Sequence, residues 1–354
     1  MPIESRRRKR TIGATGTKES HMKVLVTGHR GYLGSTLVRK LVRDGHDVVG
    51  LDRRADSSRC PLLRMDAVEA ISRELGEFLA SEESLETLSG FDAVIHLAAP
   101  EPDCGSAKMF ERDLSDTLRL ALRACQAAVP RFIFASWANY RWNTDDDFIC
   151  ENGEIYVGTD HYRSKVRAEL AICGLASSTF SPTVMRLPDV YGFGQNMHFR
   201  GFMNRLAATA YSLGKIPINS DGSGRHAVLH VEDAARAFGA LLTARRDLVH
   251  REIFNVGRVR ESLSLLEIGM ALKAVLPGAR IDASRLPAMD QCRHDVDFGR
   301  LSRHVPDALP TRHLRVGLSQ LVQNLDSMPI RRPPARSPRR RTVPQIGYAQ
   351  NLAG

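Results

Sequence analysis

His161 and Lys165 stand four residues apart in the stretch GTDHYRSKVRAEL (158–170). On a helix that spacing puts both side chains on one face. An imidazole has an ordinary pKa of about 6.5 and exchanges protons near neutrality. A lysine ammonium beside it opposes a second positive charge, so the ring stays neutral and serves as a base rather than as a proton donor. Tyr162 is the alternative acid/base group, but it points about 100° away from His161 around the helix. A helix starting one residue later would bring Tyr162 inward, and Asp160 is the candidate cap that sets that start.

Other chemically tempting residues have plainer readings. His96 ends an apolar strand and reads as a packed core histidine. His230 in VLHVED reads as a brace between lobes. His294 and Asp297 in RHDVDF make a poor metal site, because one histidine and scattered acids lack a ligand set. The acids of DDD (145–147) read as a solvated loop. Cys60, Cys104, Cys125, Cys150, Cys173 and Cys292 include no C-x-x-C pair. They read as reduced thiols in a cytoplasmic protein, with no covalent catalysis and no metal.

The catalytic helix needs a partner that accepts what the proton leaves behind, and the N-terminal half supplies one. KVLVT is a short β-branched strand, and Gly28, Gly31 and Gly34 follow at a spacing of three. YLGSTLVRKLV then has helical periodicity, and DVVGLD is a second strand ending in Asp52. Gly28 permits the tight turn, Gly31 lets the backbone approach a pyrophosphate, and Gly34 lets the helix pack on the strand. Asp52 accepts hydrogen bonds from an adenosine ribose and repels a 2′-phosphate, so NAD is expected over NADP. Arg53 and Arg54 soften that preference. Further strands are expected at 62–66, 93–99, 131–136 and 182–187, with a helix over 114–128. The alternation predicts an α/β fold: a Rossmann-type, doubly wound parallel sheet with a smaller C-terminal substrate-binding lobe.

The chain has 354 residues, 43% of them apolar and 25% charged, with a net charge of +10. Residues 1–22 carry six basic and two acidic side chains, and residues 327–354 carry six arginines and no acid. The region between is thus about neutral, which argues against nucleic acid as a partner and for two disordered basic tails. No apolar run is long enough for a bilayer, and no secretory signal follows the basic start, so no membrane role is expected. The expected organisation is a tail over 1–22, a dinucleotide-binding domain over 23–187, a mainly substrate-binding lobe over 188–326 with some return to the core, and a tail over 327–354.

In order and spacing, VTGHRGYLG, VIHLAA, RFIFAS, YRSKVRAE, VMRLPDVYG, DGSGRHAVLHVEDAARA and FNVG resemble the extended short-chain dehydrogenase/reductase family of NAD-dependent nucleotide-sugar epimerases and dehydratases. The resemblance implies NAD as cofactor. It would be held by Gly28, Arg30, Gly31, Tyr32, Leu33 and Gly34 in the turn, by Asp52 and Arg53, by Asp66 and Ala67, by Leu97, Ala98 and Ala99, and by Lys165 on the nicotinamide ribose. It implies a nucleotide-sugar or related polyol substrate near Asp189, Tyr191 and His226. It also implies a homodimer through helices near 107–128 and 160–176. The chain departs from the family where the chemistry lies. His161 stands in the tyrosine position. Trp137 or, with one deletion, Ser136 stands in the serine position. Asp113 and Asp189 replace asparagines, and His226 replaces an arginine. SWANYRW lacks the acid pair of the dehydratases, which favours epimerisation or carbonyl reduction. The alternative is an impaired NAD-binding protein with a structural or regulatory role.

Overall fold

The computed structural model describes residues 21–53, 68–100, 105–138, 141–142, 148–153, 155–156, 159–197, 199–219, 222–258, 262–284 and 295–328. Seven strands build the main sheet: β1 (Lys23–Thr27), β2 (Asp47–Asp52), β3 (Glu69–Ser72), β4 (Ala93–His96), β5 (Arg131–Trp137), β6 (Ser181–Leu187) and β7 (Glu252–Asn255). They lie in the order β7-β6-β5-β4-β1-β2-β3, every neighbour parallel. The chain runs outward from β1 through β2 and β3, then crosses back to β4 on the other side. The carboxyl ends of β1 and β4 therefore part around a crevice, where ligands of such sheets bind.

Both faces of the sheet are covered, as parallel strands require. Helices α1 (Tyr32–Arg43), α2 (Ala107–Gln126), α3 (Asp160–Gly174), α4 (Phe202–Leu213), α5 (Val231–Thr243), α6 (Leu265–Val275) and α7 (Leu314–Leu325) are the longer ones. Side chains alternate across each strand. Val24, Val26 and Ile95 face Leu37 and Leu41 of α1 and Phe238 of α5. Leu25, Val94, Phe132 and Phe134 face Leu120 of α2 and Ile172 of α3. A separate core of Tyr191, Met203, Leu206, Ile268, Leu318 and Leu321 holds α4, α6 and α7 together as a smaller lobe. The second half of the chain is shared between the two bodies, because β7 joins the main sheet and α5 packs on α1.

The strand expected over 62–66 lies outside the described residues. The third strand, Glu69–Ser72, sits at the sheet's edge and is largely exposed, so no apolar run announces it. The basic stretches at the two ends also lie outside the described residues, apart from residues 21–22 and 327–328.

His96 closes β4 with no solvent exposure. Its Nδ1 meets Thr27 Oγ1 at 2.6 Å and its Nε2 meets Thr117 Oγ1 at 2.9 Å, tying β1 to α2. Burial, and secondarily the charge of Lys165, pushes its pKa down to about 3.

Candidate functional site

The loop between β1 and α1 is built for close backbone approach. Gly28 has a φ of +71°, a conformation that L side chains rarely adopt, and a Cβ there would meet Ala98 N at 2.8 Å. A Cβ on Gly34 would lie 2.1 Å from Gly28 O. Gly31 is the N-cap of α1 and offers no side-chain cap, and no acid occupies the first turn. The first-turn amides and the positive end of the helix dipole are thus left to an anion. Asp52 closes β2, and its Oδ2 accepts from Arg30 N at 3.1 Å. Ala98 N donates to Thr27 Oγ1 at 3.3 Å, which fixes the exit of β4 against the turn. Asp66 and Ala67 lie outside the described residues.

The smaller lobe clasps this turn. Tyr32 donates its hydroxyl to Gly192 O at 2.6 Å, Ser35 Oγ donates to Gln195 O at 3.2 Å, and Asn196 Nδ2 donates to Arg30 O at 2.7 Å. Nothing in the spacing pointed to Gln195 or Asn196. Their nearest sequence signal is the glycine pair Gly192 and Gly194, and a Cβ on Gly194 would come within 3.0 Å of the Tyr32 ring.

Helix α3 begins at Asp160, and Thr159 is its cap, accepting from Tyr162 N at 3.3 Å. Asp160, the cap expected from sequence, instead pairs with Arg163 on the surface. This start turns His161 inward to 5% exposure. Tyr162 is half-buried and packs against Ile149. The His161 ring lies among aromatics, with centroids 5.2 Å from Phe110, 6.2 Å from Trp137 and 5.5 Å from Tyr162. Its Nδ1 has no hydrogen-bond partner among the described residues. Burial, then the charge of Lys165, holds its pKa at about 4.

Lys165 is also buried. Its Nζ sits 3.3 Å from Asp113 Oδ2 and 5.2 Å above the Phe134 ring. Burial raises the Asp113 pKa, and the attraction of Lys165 opposes that rise. Asp113 comes from α2, so the pair joins residues fifty-two positions apart.

Ser136 and Trp137 close β5. Ser136 shares the face of Phe132 and Phe134, and its Oγ donates to Glu169 Oε1 at 2.5 Å. Glu169 in turn holds Arg186 through Nε at 3.1 Å and Nη2 at 2.7 Å, and Arg186 Nη1 reaches Glu151 O at 3.1 Å. Ser136 is thereby tied to a buried ion pair under α3, while Trp137 is the residue that stands beside His161. In the smaller lobe, Asp189 accepts from Phe202 N at 3.3 Å and Met203 N at 2.9 Å. His226 lies flat on Phe202, with centroids 4.6 Å apart and an interplanar angle of 13°. Tyr191 is fully buried against His230.

Taken together, the glycine turn, the bare helix start and the acid closing β2 fit a dinucleotide, and a helix carrying a buried histidine and a lysine stands beyond them. The chain belongs to the NAD dependent epimerase/dehydratase family, whose pattern matches residues 24–257. It is 26% identical over 280 residues to a UDP-glucose 4-epimerase of Neisseria meningitidis serogroup C, covering 71% of this chain and 82% of that one. It is 29% identical over 220 residues to a 3-diazoavenalumate denitrifying reductase of a Streptomyces species, covering 61% and 70%. Among solved structures it superimposes on MoeE5 in complex with UDP-glucose and NAD with a TM-score of 0.71, 25% identity and coverage of 86% and 99%. Among the described residues no helix is long and apolar enough to cross a membrane, and no cluster of three or more His, Cys, Asp or Glu could hold a metal.

Gly34 gives a direct check on the turn. Gly34→Val is expected to lower the melting temperature by on the order of 10 °C, because the new side chain meets backbone that cannot yield. Gly174→Ala is the control, since a Cβ there meets nothing within 4 Å. Thermal denaturation of the two variants beside the parent chain reads the difference.

Proposed function

We propose that this chain is an NAD-dependent oxidoreductase, or an epimerase working by the same step, acting on a hydroxyl-bearing carbon of a nucleotide-activated sugar or related polyol. A nicotinamide ring, when bound, supplies the hydride acceptor. His161 takes the hydroxyl proton, and the supporting observation is its buried neutral ring, placed four residues before Lys165 at the carboxyl ends of the strands. An ordinary tyrosine, with a pKa of about 10, has to be pushed down to be ionised near neutrality, whereas this imidazole, held at about 4, is unprotonated there, though a weaker base than an ordinary histidine. Lys165, held by Asp113, keeps a second positive charge off the ring and lies within reach of a ribose. Gly28, Gly31 and Gly34 would admit the pyrophosphate, and Asp52 would take the ribose hydroxyls. The similarity to a UDP-glucose 4-epimerase and to MoeE5 supports the reaction class. A homodimer in the cytoplasm goes with this reading. Met109, Leu122 and Leu170 on α2 and α3 are exposed, and Cys125, Cys150 and Cys173 are free thiols.

Calorimetric titration with NAD and NADP tests the foundation. NAD should bind about tenfold or more tightly than NADP, because the Asp52 carboxylate repels a 2′-phosphate. Asp52→Ser should narrow the gap. Lack of affinity for either dinucleotide would remove the proposal.

A further inference from the structure

We infer that Asp113 is a positioning residue for proton transfer at His161: its carboxylate supplies the negative charge that matches Lys165, which a neutral imidazole cannot supply. This rests on the oxidoreductase reading above and adds a residue to it.

Two helix faces meet here at matching intervals. On α3, His161 and Lys165 stand one turn apart. On α2, Phe110 and Asp113 are three residues apart and share a face. Phe110 lies against the His161 ring, with centroids 5.2 Å apart, and Asp113 Oδ2 lies 3.3 Å from Lys165 Nζ. One turn further along α2, Thr117 Oγ1 meets His96 Nε2 at 2.9 Å, and Thr27 Oγ1 meets the other nitrogen of that ring at 2.6 Å. These contacts fasten α2 to β1 and β4 and set the carboxylate where the lysine arrives. The Lys165 side chain is 6% exposed, so its charge has little water around it and must be met by the protein.

The kind of base decides whether this match is needed. A phenolate is itself an anion, and beside a lysine it leaves a neutral pair. A neutral imidazole beside the same lysine leaves one positive charge unmatched in a buried site. With Asp113 ionised, His161, Lys165 and Asp113 sum to zero before the proton arrives and to plus one after it. A phenolate and a lysine alone follow the same course. Asp113 thus restores the charge that is missing when histidine rather than tyrosine takes the proton. Oxidation of the hydroxyl-bearing carbon sends its hydroxyl proton to the His161 ring and its hydride to the nicotinamide, leaving a carbonyl. The ring gains the unit of positive charge that the nicotinamide loses. A lysine without its carboxylate would oppose both the oxidised nicotinamide and the protonated ring.

The neighbouring titratable groups among the described residues have other partners. Asp116, three residues after Asp113 on α2, pairs with Arg119 at 3.3 Å and Arg112 at 3.8 Å. His96 of β4 is fully buried between its two threonines and neutral. Glu169, one turn beyond Lys165 on α3, pairs with Arg186. From β5, the Phe134 ring lies 5.2 Å from Lys165 Nζ. Burial raises the Asp113 pKa, the charge and hydrogen bond of Lys165 lower it, and Asp116 raises it.

The test needs no substrate. In the full chain carrying His161→Tyr, the introduced phenol is titrated by its phenolate absorbance, taken as the difference from the parent. With Lys165 already matched, the midpoint should lie at or above about 10, the ordinary value. Adding Asp113→Asn should lower it by about one unit or more, because the same lysine then acts on the phenol unopposed. A midpoint about a unit or more below the ordinary value in His161→Tyr alone overturns the inference. So does a midpoint that stays in place when Asp113→Asn is added. Asp113→Asn in the parent chain is read by calorimetric titration with NAD and NADH. It should weaken NAD about tenfold relative to NADH, since only the oxidised nicotinamide is positive. Asp113→Glu should keep the parent ratio. A packing defect weakens both dinucleotides alike, so a ratio unmoved by Asp113→Asn also overturns the inference. If the parent binds neither dinucleotide, the oxidoreductase reading falls, and the phenol titration alone decides the charge match at Asp113.

Discussion

Phenylalanine in place of His161 should lower turnover about 10²–10⁴-fold, the usual contribution of a positioned general base. Phenylalanine fills the same aromatic surroundings of Phe110, Trp137 and Tyr162, so packing is kept and only proton acceptance is lost. Tyr162→Phe is the matching control. That side chain packs on Ile149, and its loss of a hydroxyl should leave turnover within about threefold. Comparable losses in the two variants, or none in either, would take the proton role away from His161.

The pH dependence follows from the same ring. Its pKa is held at about 4 by burial and by Lys165, so the neutral base is present throughout the range above roughly pH 5. Alcohol oxidation should therefore be level from neutrality down to about pH 5 and fall as the pH passes through about 4. Carbonyl reduction needs the protonated ring, which makes up about one part in a thousand at pH 7. That direction should accelerate roughly tenfold per unit as the pH falls toward 4. Initial rates in both directions over this range distinguish His161 from a tyrosine acid/base. The sign for stability is set by the depressed pKa. Between about 4 and 6.5 the unfolded chain binds the proton and the folded chain does not. The stability contribution is full above 6.5 and declines as the pH falls through that window. His96 acts in the same sense and, fully buried with a pKa of about 3, costs roughly 2 kcal/mol at pH 5.

Removal of the Glu169 carboxylate should be the most damaging change to the fold. Glu169 is 1% exposed and Arg186 3%, and they meet at 2.7 Å. Glu169→Ala leaves a guanidinium buried without its counter-charge, which costs about 3–5 kcal/mol. In a chain of this size that is a fall in melting temperature on the order of 10 °C. Ser136→Ala removes the bond to Glu169 Oε1 and should cost about 1–3 kcal/mol. Because Ser136 is tied to the buried Glu169–Arg186 pair, the serine variant should lose stability and keep its turnover. Thermal melts read alongside rates separate these two effects. A Ser136→Ala protein that melts normally but turns over slowly would place the serine in the chemistry.

Much of the architecture is written locally. The glycine spacing, the acid at the end of β2 and the β-branched runs are short-range signals, because a turn, a helix start and a strand are each set by adjacent residues. The inward direction of His161 was nearly legible too. It hung on where α3 begins, and Thr159 takes the cap that was expected at Asp160. The face of Ser136 follows from strand alternation with Phe132 and Phe134, once β5 is known to run without a deletion.

What the tertiary structure alone decided is which charges are matched. Lys165 meets Asp113 from another helix, Glu169 meets Arg186 from a neighbouring strand, and Asp189 reaches the start of α4. Composition shows that those groups exist. The energy of a buried charge depends on its partner's distance and on the water removed around both, and these are fixed only when distant segments pack. The sequence alone therefore determined a dinucleotide-binding parallel sheet and the residues that could do chemistry. Packing decided that the His161 ring is buried, that Lys165 is paired with Asp113 and that the start of α4 is met by the Asp189 carboxylate.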